Sequence, residues 1–135
     1  MRRMWWPCAL LAAFLLAGCG RGLVQPKGRV LKDGAPLALK EQEYVNIFFI
    51  PVVAEGEKHP GDVYAARYND TDGTFQATGK DGKGLPPGKY KITVEHLRKK
   101  RDLLNGAFGV DKTPFVRDID TRTGEIVLDL ARPNG

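Results

Sequence analysis

The sequence predicts an all-β sandwich behind a cleavable N-terminal segment. Two observations carry the fold class. Short apolar stretches alternate with polar residues, and Asp-Gly, Pro-Gly and Thr-Gly turn signals separate them. A third observation is negative: after Pro26 no long run of apolar residues follows the helical period.

The elements follow in order. "GRVLKDGAPL" holds a short strand, Arg29 to Lys32, and then an Asp33-Gly34 turn. "EYVNIFFIPVV" is apolar on both faces, with Tyr44, Phe48 and Ile50 on one and Val45, Ile47 and Phe49 on the other. That pattern predicts a central strand covered on both sides and stopped by Pro51. Each such side chain contributes ~1.5–3 kcal/mol when buried, so this strand should carry much of the core. "GDVYAARYNDTDGTFQAT" reads as a hairpin, with Val63 to Tyr68 and Thr74 to Thr78 flanking the turn. "GKDGKGLPPG" is a loop, and "KYKITVEH" is a half-buried antiparallel strand with Tyr90, Ile92, Val94 and His96 on one face. "GEIVLDLA" places Ile126, Leu128 and Leu130 inward after a Thr123-Gly124 turn. The stretch from His96 to Pro114 is too long for a simple hairpin turn. Its Leu97, Leu103, Leu104 and Phe108 are expected to fold back as a short helix or a cap over an open end of the sandwich; the alternative is a mobile functional loop.

The N-terminus has a different chemistry. Arg2 and Arg3 precede an apolar run, Met4 to Gly18, that ends in small residues, as in a secretory signal. The run has about 15 residues where a spanning helix needs about 20, and Pro7 interrupts its first turns. Leu16-Ala17-Gly18-Cys19 resembles the lipobox of bacterial lipoproteins. The resemblance implies a diacylglycerol thioether on Cys19, cleavage before it, and acylation of the new amino group. Residues 1–18 are then a signal peptide, 19–25 a lipidated flexible tether and 26–135 the domain. Two or more acyl chains make a stable membrane anchor. Other readings are an ordinary signal peptide with a Cys at its border, or an uncut anchor helix. Cys8 leaves with the signal and Cys19 takes the lipid, so no disulfide is expected. Gly20 stands where an Asp would signal inner-membrane retention in some lipoproteins, which favours the outer membrane.

The formal charge of +5 comes from 21 basic and 16 acidic residues, and losing Arg2 and Arg3 makes it milder still. Such a balance does not argue for nucleic acid as a partner. Catalytic and metal patterns are sparse. His59 lies in "EGEKHPGD" with no second His at ligand spacing, and His96 sits on the inward face of its strand, where a satisfied core histidine is expected. No nucleophile elbow, phosphate loop or dinucleotide fingerprint occurs. "YNDTDG" fails the EF-hand spacing when Gly73 is aligned, so Asp70 and Asp72 read as a polar turn, with a calcium site of another kind as the alternative. No catalytic residue, cofactor or metal is therefore assigned. The one dense charge run is Arg98, Lys99, Lys100 and Arg101. It is either a solvated loop or a contact for phosphate head groups, anionic glycans or an acidic partner. Tyr64 and Tyr68 are candidate exposed aromatics for carbohydrate or peptide.

The order of these signals resembles the carboxypeptidase regulatory-like domain, a transthyretin-like (prealbumin-like) Greek-key β-sandwich of about seven strands. The matching residues are "GRVLKDGAPL", "VNIFFIP", "NDTDGTFQATG" and "LPPGKYKITV". The match covers Pro26 to about Val94, fades through "RKKRDLLNGAFGVDK" and returns weakly at "TPFVRDIDTRTGEIVLDL". The family shares no catalytic set, so the resemblance implies a non-enzymatic structural or binding module on a bacterial lipoprotein. Rival expectations are a carbohydrate- or peptide-binding accessory and an envelope enzyme with a site near His96 and the basic run.

Overall fold

A computed structural model describes residues 22–53 and 61–131. The signal segment, Cys19, Gly20 and His59 lie outside the described residues. Nine strands and no helix are present among the described residues: β1 Lys27–Lys32, β2 Ala35–Pro36, β3 Glu43–Pro51, β4 Tyr64–Asn69, β5 Thr74–Ala77, β6 Gly88–Arg98, β7 Arg101–Asp102, β8 Val116–Ile119 and β9 Ile126–Asp129. They form one curled sheet in the order β2-β1-β5-β4-β3-β6-β7, with β8 beside β6 and β9 beside β1. Every pairing is antiparallel except β1 with β9, which is parallel in the register Gly28↔Ile126 to Leu31↔Asp129.

The curl turns one face of every long strand toward a common interior. Strand periodicity does the sorting: Val45, Ile47 and Phe49 of β3 share a face with their register partners His96, Val94 and Ile92 of β6. Phe75 and Ala77 of β5, Ile119 of β8, and Ile126 and Leu128 of β9 close the same core. Phe49 packs against Phe75 and Tyr90 with ring centroids 6.2 Å away in each case, tilted or edge-on, as aromatic quadrupoles prefer. Burial pushes the Tyr90 hydroxyl up to about 12, and that hydroxyl donates to the Pro86 carbonyl.

Three expectations need correction. β3 is central, lying between β4 and β6, yet only one of its faces is enclosed. Phe48 and Ile50 are half-buried and Tyr44 is 45 % exposed. Phe48 stands in register with Ala65 of β4 and Thr93 of β6. The tether is shorter than the composition implied, because Val24 exchanges backbone hydrogen bonds with Leu85 (2.8 and 2.6 Å) and the Gln25 amide donates to the Gly82 carbonyl. Finally, the stretch after His96 forms no helix. β6 runs on to Arg98, a two-residue turn follows, and successive turns lay Phe108 and Phe115 along the free edge of β6. There Val94 N–H donates to the Phe108 carbonyl, Ile92 N–H to the Phe115 carbonyl, and the Thr113 hydroxyl to the Ile92 carbonyl. The two rings stack at 5.4 Å inside the core, and Leu104 packs against it. Leu103 stays 41 % exposed and Leu97 is half-buried at the end of β6, so they take no part in the cap.

Gly28 is where β9 closes onto β1. A Cβ there would collide with the Ile126 carbonyl and lie 2.7 Å from the Phe75 ring. Gly28→Ala is therefore expected to cost about 1–3 kcal/mol through overpacking. Gly124→Ala, which meets nothing within 4 Å, should leave the melting temperature unchanged. Thermal unfolding of the two variants checks the contrast.

Candidate functional site

Chain direction assigns the two ends of the curled sheet. β1 finishes, β3 begins and β6 finishes at one end, while Val24 and Leu85 pair at the other, just before β6 starts. The eleven residues of β6 cover roughly 33 Å at ~3.3 Å per residue. The end remote from Val24 collects the β1–β2 turn at Asp33-Gly34, the loop from Leu37 to Gln42 and the β6–β7 hairpin.

A cavity of about 440 Å³ opens there, lined by Lys32, Asp33, Lys40, Glu43, His96 and Leu103 among others. Its floor is a buried pair. His96 Nε2 lies 2.8 Å from Glu43 Oε2, with side chains 8 % and 5 % exposed respectively. The register makes this pair: β3 and β6 align Val45 with His96 and Glu43 with Arg98, so Glu43 reaches the ring from the neighbouring strand. Glu43 Oε2 also accepts the Lys40 N–H at 3.0 Å, which pins the loop to the strand. That backbone hydrogen bond, then the bond to His96 and the nearby Arg98, hold the Glu43 carboxyl below its ordinary value of 4.5. His96 Nδ1 is buried without a partner among the described residues. Within the cavity lining the imidazole's hydrogen-bond partner is the Glu43 carboxylate. Chemically the pair is a staple between β3 and β6.

The basic run is a hairpin tip. Arg98 and Arg101 are register partners, and Lys99 and Lys100 form the two-residue turn between them, with φ of 49° and 64°. All four are exposed, and among the described residues none enters an ion pair. The adjacent carboxylates are already committed. Asp102 accepts the N–H groups of His96, Leu104 and Gly106, and Glu43 holds His96 and Lys40.

The two tyrosines lie elsewhere than expected. Tyr64 and Tyr68 are half-buried and pack against the core. Tyr64 meets Tyr90 edge-on at 6.3 Å, toward the end where Val24 and Leu85 pair. The Tyr68 hydroxyl donates to the Leu37 carbonyl at 2.9 Å, and burial, with Asp70 and Asp72 nearby, raises its pKa. They are not a shared exposed platform, and the structure brings neither to the basic tip. The exposed tyrosine is Tyr44, whose register partner Leu97 adjoins Arg98. Asp72 is a turn residue: its Oδ1 accepts both the N–H and the hydroxyl of Thr74, which hold its carboxyl below the ordinary range. Among the described residues no group of three His, Cys, Asp or Glu side chains could hold a metal ion.

Sequence reasoning missed Glu43, Lys32, Lys40 and Tyr44 as members of this end. Only the strand register assembles them, and no local motif announces it. No protein-family model, curated protein or solved structure matches the chain.

The lowered Glu43 pKa fixes a sign. The folded state binds this proton less readily than the unfolded chain, so the carboxylate's contribution is full above 4.5 and is lost as pH falls through the folded value. Glu43→Gln should lower the melting temperature at neutral pH. The gap from the parent protein should shrink as pH drops below 4.5, which melts across that range will measure.

Proposed function

We propose that the chain is a lipid-anchored lipoprotein of the bacterial envelope, with the outer membrane as its site. Its domain is a transthyretin-like β-sandwich of the carboxypeptidase regulatory-like type that works as a non-enzymatic binding module. The observation that carries the anchor is the position of Leu16-Ala17-Gly18-Cys19. It closes an apolar run too short to span a bilayer and stands just ahead of Val24, where backbone pairing begins. A lipid on Cys19 would thus meet a domain that starts within a few residues, with the basic hairpin at the opposite end.

The domain assignment draws on the "VNIFFIP", "NDTDGTFQATG" and "LPPGKYKITV" segments, which supply β3, the β4–β5 hairpin and β6. The inward alternation and the curl of the sheet around one core are what a sandwich of this type requires. The binding role draws on the remote end, which carries four exposed cations and an exposed aromatic, Tyr44. The buried His96–Glu43 pair supports a role in holding that surface rather than in bond cleavage.

The test is Cys19→Ser in a bacterial host. The parent chain should take up labelled palmitate and migrate as the shortened form. The variant should take up none and accumulate as the full-length precursor. Normal processing of the variant would overturn the lipoprotein reading.

A further inference from the structure

We infer that the Arg98–Arg101 hairpin is a docking tip for an acidic segment of a partner protein. Three independent features of the tip point the same way. The first is backbone conformation. A two-residue turn with both φ values positive favours Asn-Gly or Asp-Gly, and the β1–β2 turn of this same chain uses Asp33-Gly34 at 55° and 79°. The β6–β7 turn instead places Lys99 and Lys100 in the left-handed region, where a β-carbon is disfavoured. The second is charge. Arg98 and Arg101 stand directly opposite each other across the β6–β7 ladder, a like-charge pairing, while Glu43 faces Arg98 from β3. Residues that cost a turn local stability, at the tip of a hairpin, are expected where function selects them.

The third feature identifies the partner's chemistry. The four cations are exposed and enter no ion pair among the described residues, and Arg98 alone of them acts on Glu43, so the tip presents excess positive charge to a partner. At this end Leu103, 41 % exposed, lines the cavity with His96, and Tyr44, 45 % exposed, lies on the opposite face of the sheet beside Leu97. Arg and Tyr together are the composition of protein interface hot spots, and a bare polyanion would leave the two apolar side chains unused. Acidic residues interspersed with apolar ones satisfy both halves of the surface. Distance separates the tip from the chain's own membrane. It stands roughly 33 Å along β6 from the end where Val24 enters, several times the ~8 Å Debye length at physiological ionic strength.

This inference rests on the binding-module reading; only the setting aside of the chain's own membrane draws on the lipid, and the experiment separates the two. Full-length protein in detergent is titrated with a labelled peptide of Glu and Leu residues, with its Gln counterpart, and with phosphatidylglycerol vesicles. The parent chain should bind the Glu peptide with an affinity that falls on adding salt, and Cys19→Ser should bind it equally. Lys99→Asn/Lys100→Gly keeps a hairpin that the turn type prefers, so it should melt higher while binding about fivefold more weakly. Arg98→Gln/Arg101→Gln should weaken binding in the same way. Unchanged affinity in both double variants, equal binding of the Gln peptide, or binding confined to the vesicles would overturn the inference.

Discussion

The ladder between β3 and β6 is the constraint on which the rest of the molecule depends. Nine register pairs run from Glu43↔Arg98 to Pro51↔Tyr90, the longest continuous pairing in the sheet. β6 is hydrogen-bonded along both edges, to β3 on one side and to β8, Phe115, Phe108 and β7 on the other. Slipping β3 by one residue against β6 would turn Val45, Ile47 and Phe49 out of the core together. The same register places Glu43 within reach of His96 and Tyr44 beside Leu97. Core and remote surface are therefore set by one alignment.

Much of the fold was legible because strand alternation is a local signal. The inward faces of β6 and β9 follow from spacing alone, and Tyr90, Ile92, Val94, Ile126, Leu128 and Leu130 all lie in the core. What failed was information that spacing does not hold. Apolar residues on both sides of β3 suggested two covering layers, yet Phe48 and Ile50 are only half-buried. The basic run was hidden as a hairpin because it lacks the Gly or Asn that its backbone angles call for. Tyr64 and Tyr68 looked available as aromatics in a polar context, whereas their alternation with Ala65 and Arg67 directs them inward. The His96–Glu43 contact spans two strands distant in sequence, so nothing short of the three-dimensional register could supply it.

The remote end shows how a small β domain carries a polar surface without loosening its core. Carboxylates there accept backbone N–H groups: Asp102 organises the first turns after the hairpin, and Glu43 ties the 37–42 loop to β3. Tyr68 adds a tie from the core to Leu37. These local bonds hold the loops on which the exposed cations ride, leaving the cations themselves unconstrained.

The parallel pairing of β1 with β9 has a consequence for the order in which the molecule can be completed. The residues around Gly28 emerge from a ribosome or a narrow channel long before those around Ile126, yet they are neighbours in the finished sheet. Until β9 arrives, Val30 and the Phe75 ring lack the cover that Ile126 and Leu128 supply, and β1 presents an unpaired edge. Closure of so distant a contact is slow compared with forming the β4–β5 hairpin. The parallel pairing that covers β1 therefore cannot form until the segment around Ile126 has emerged.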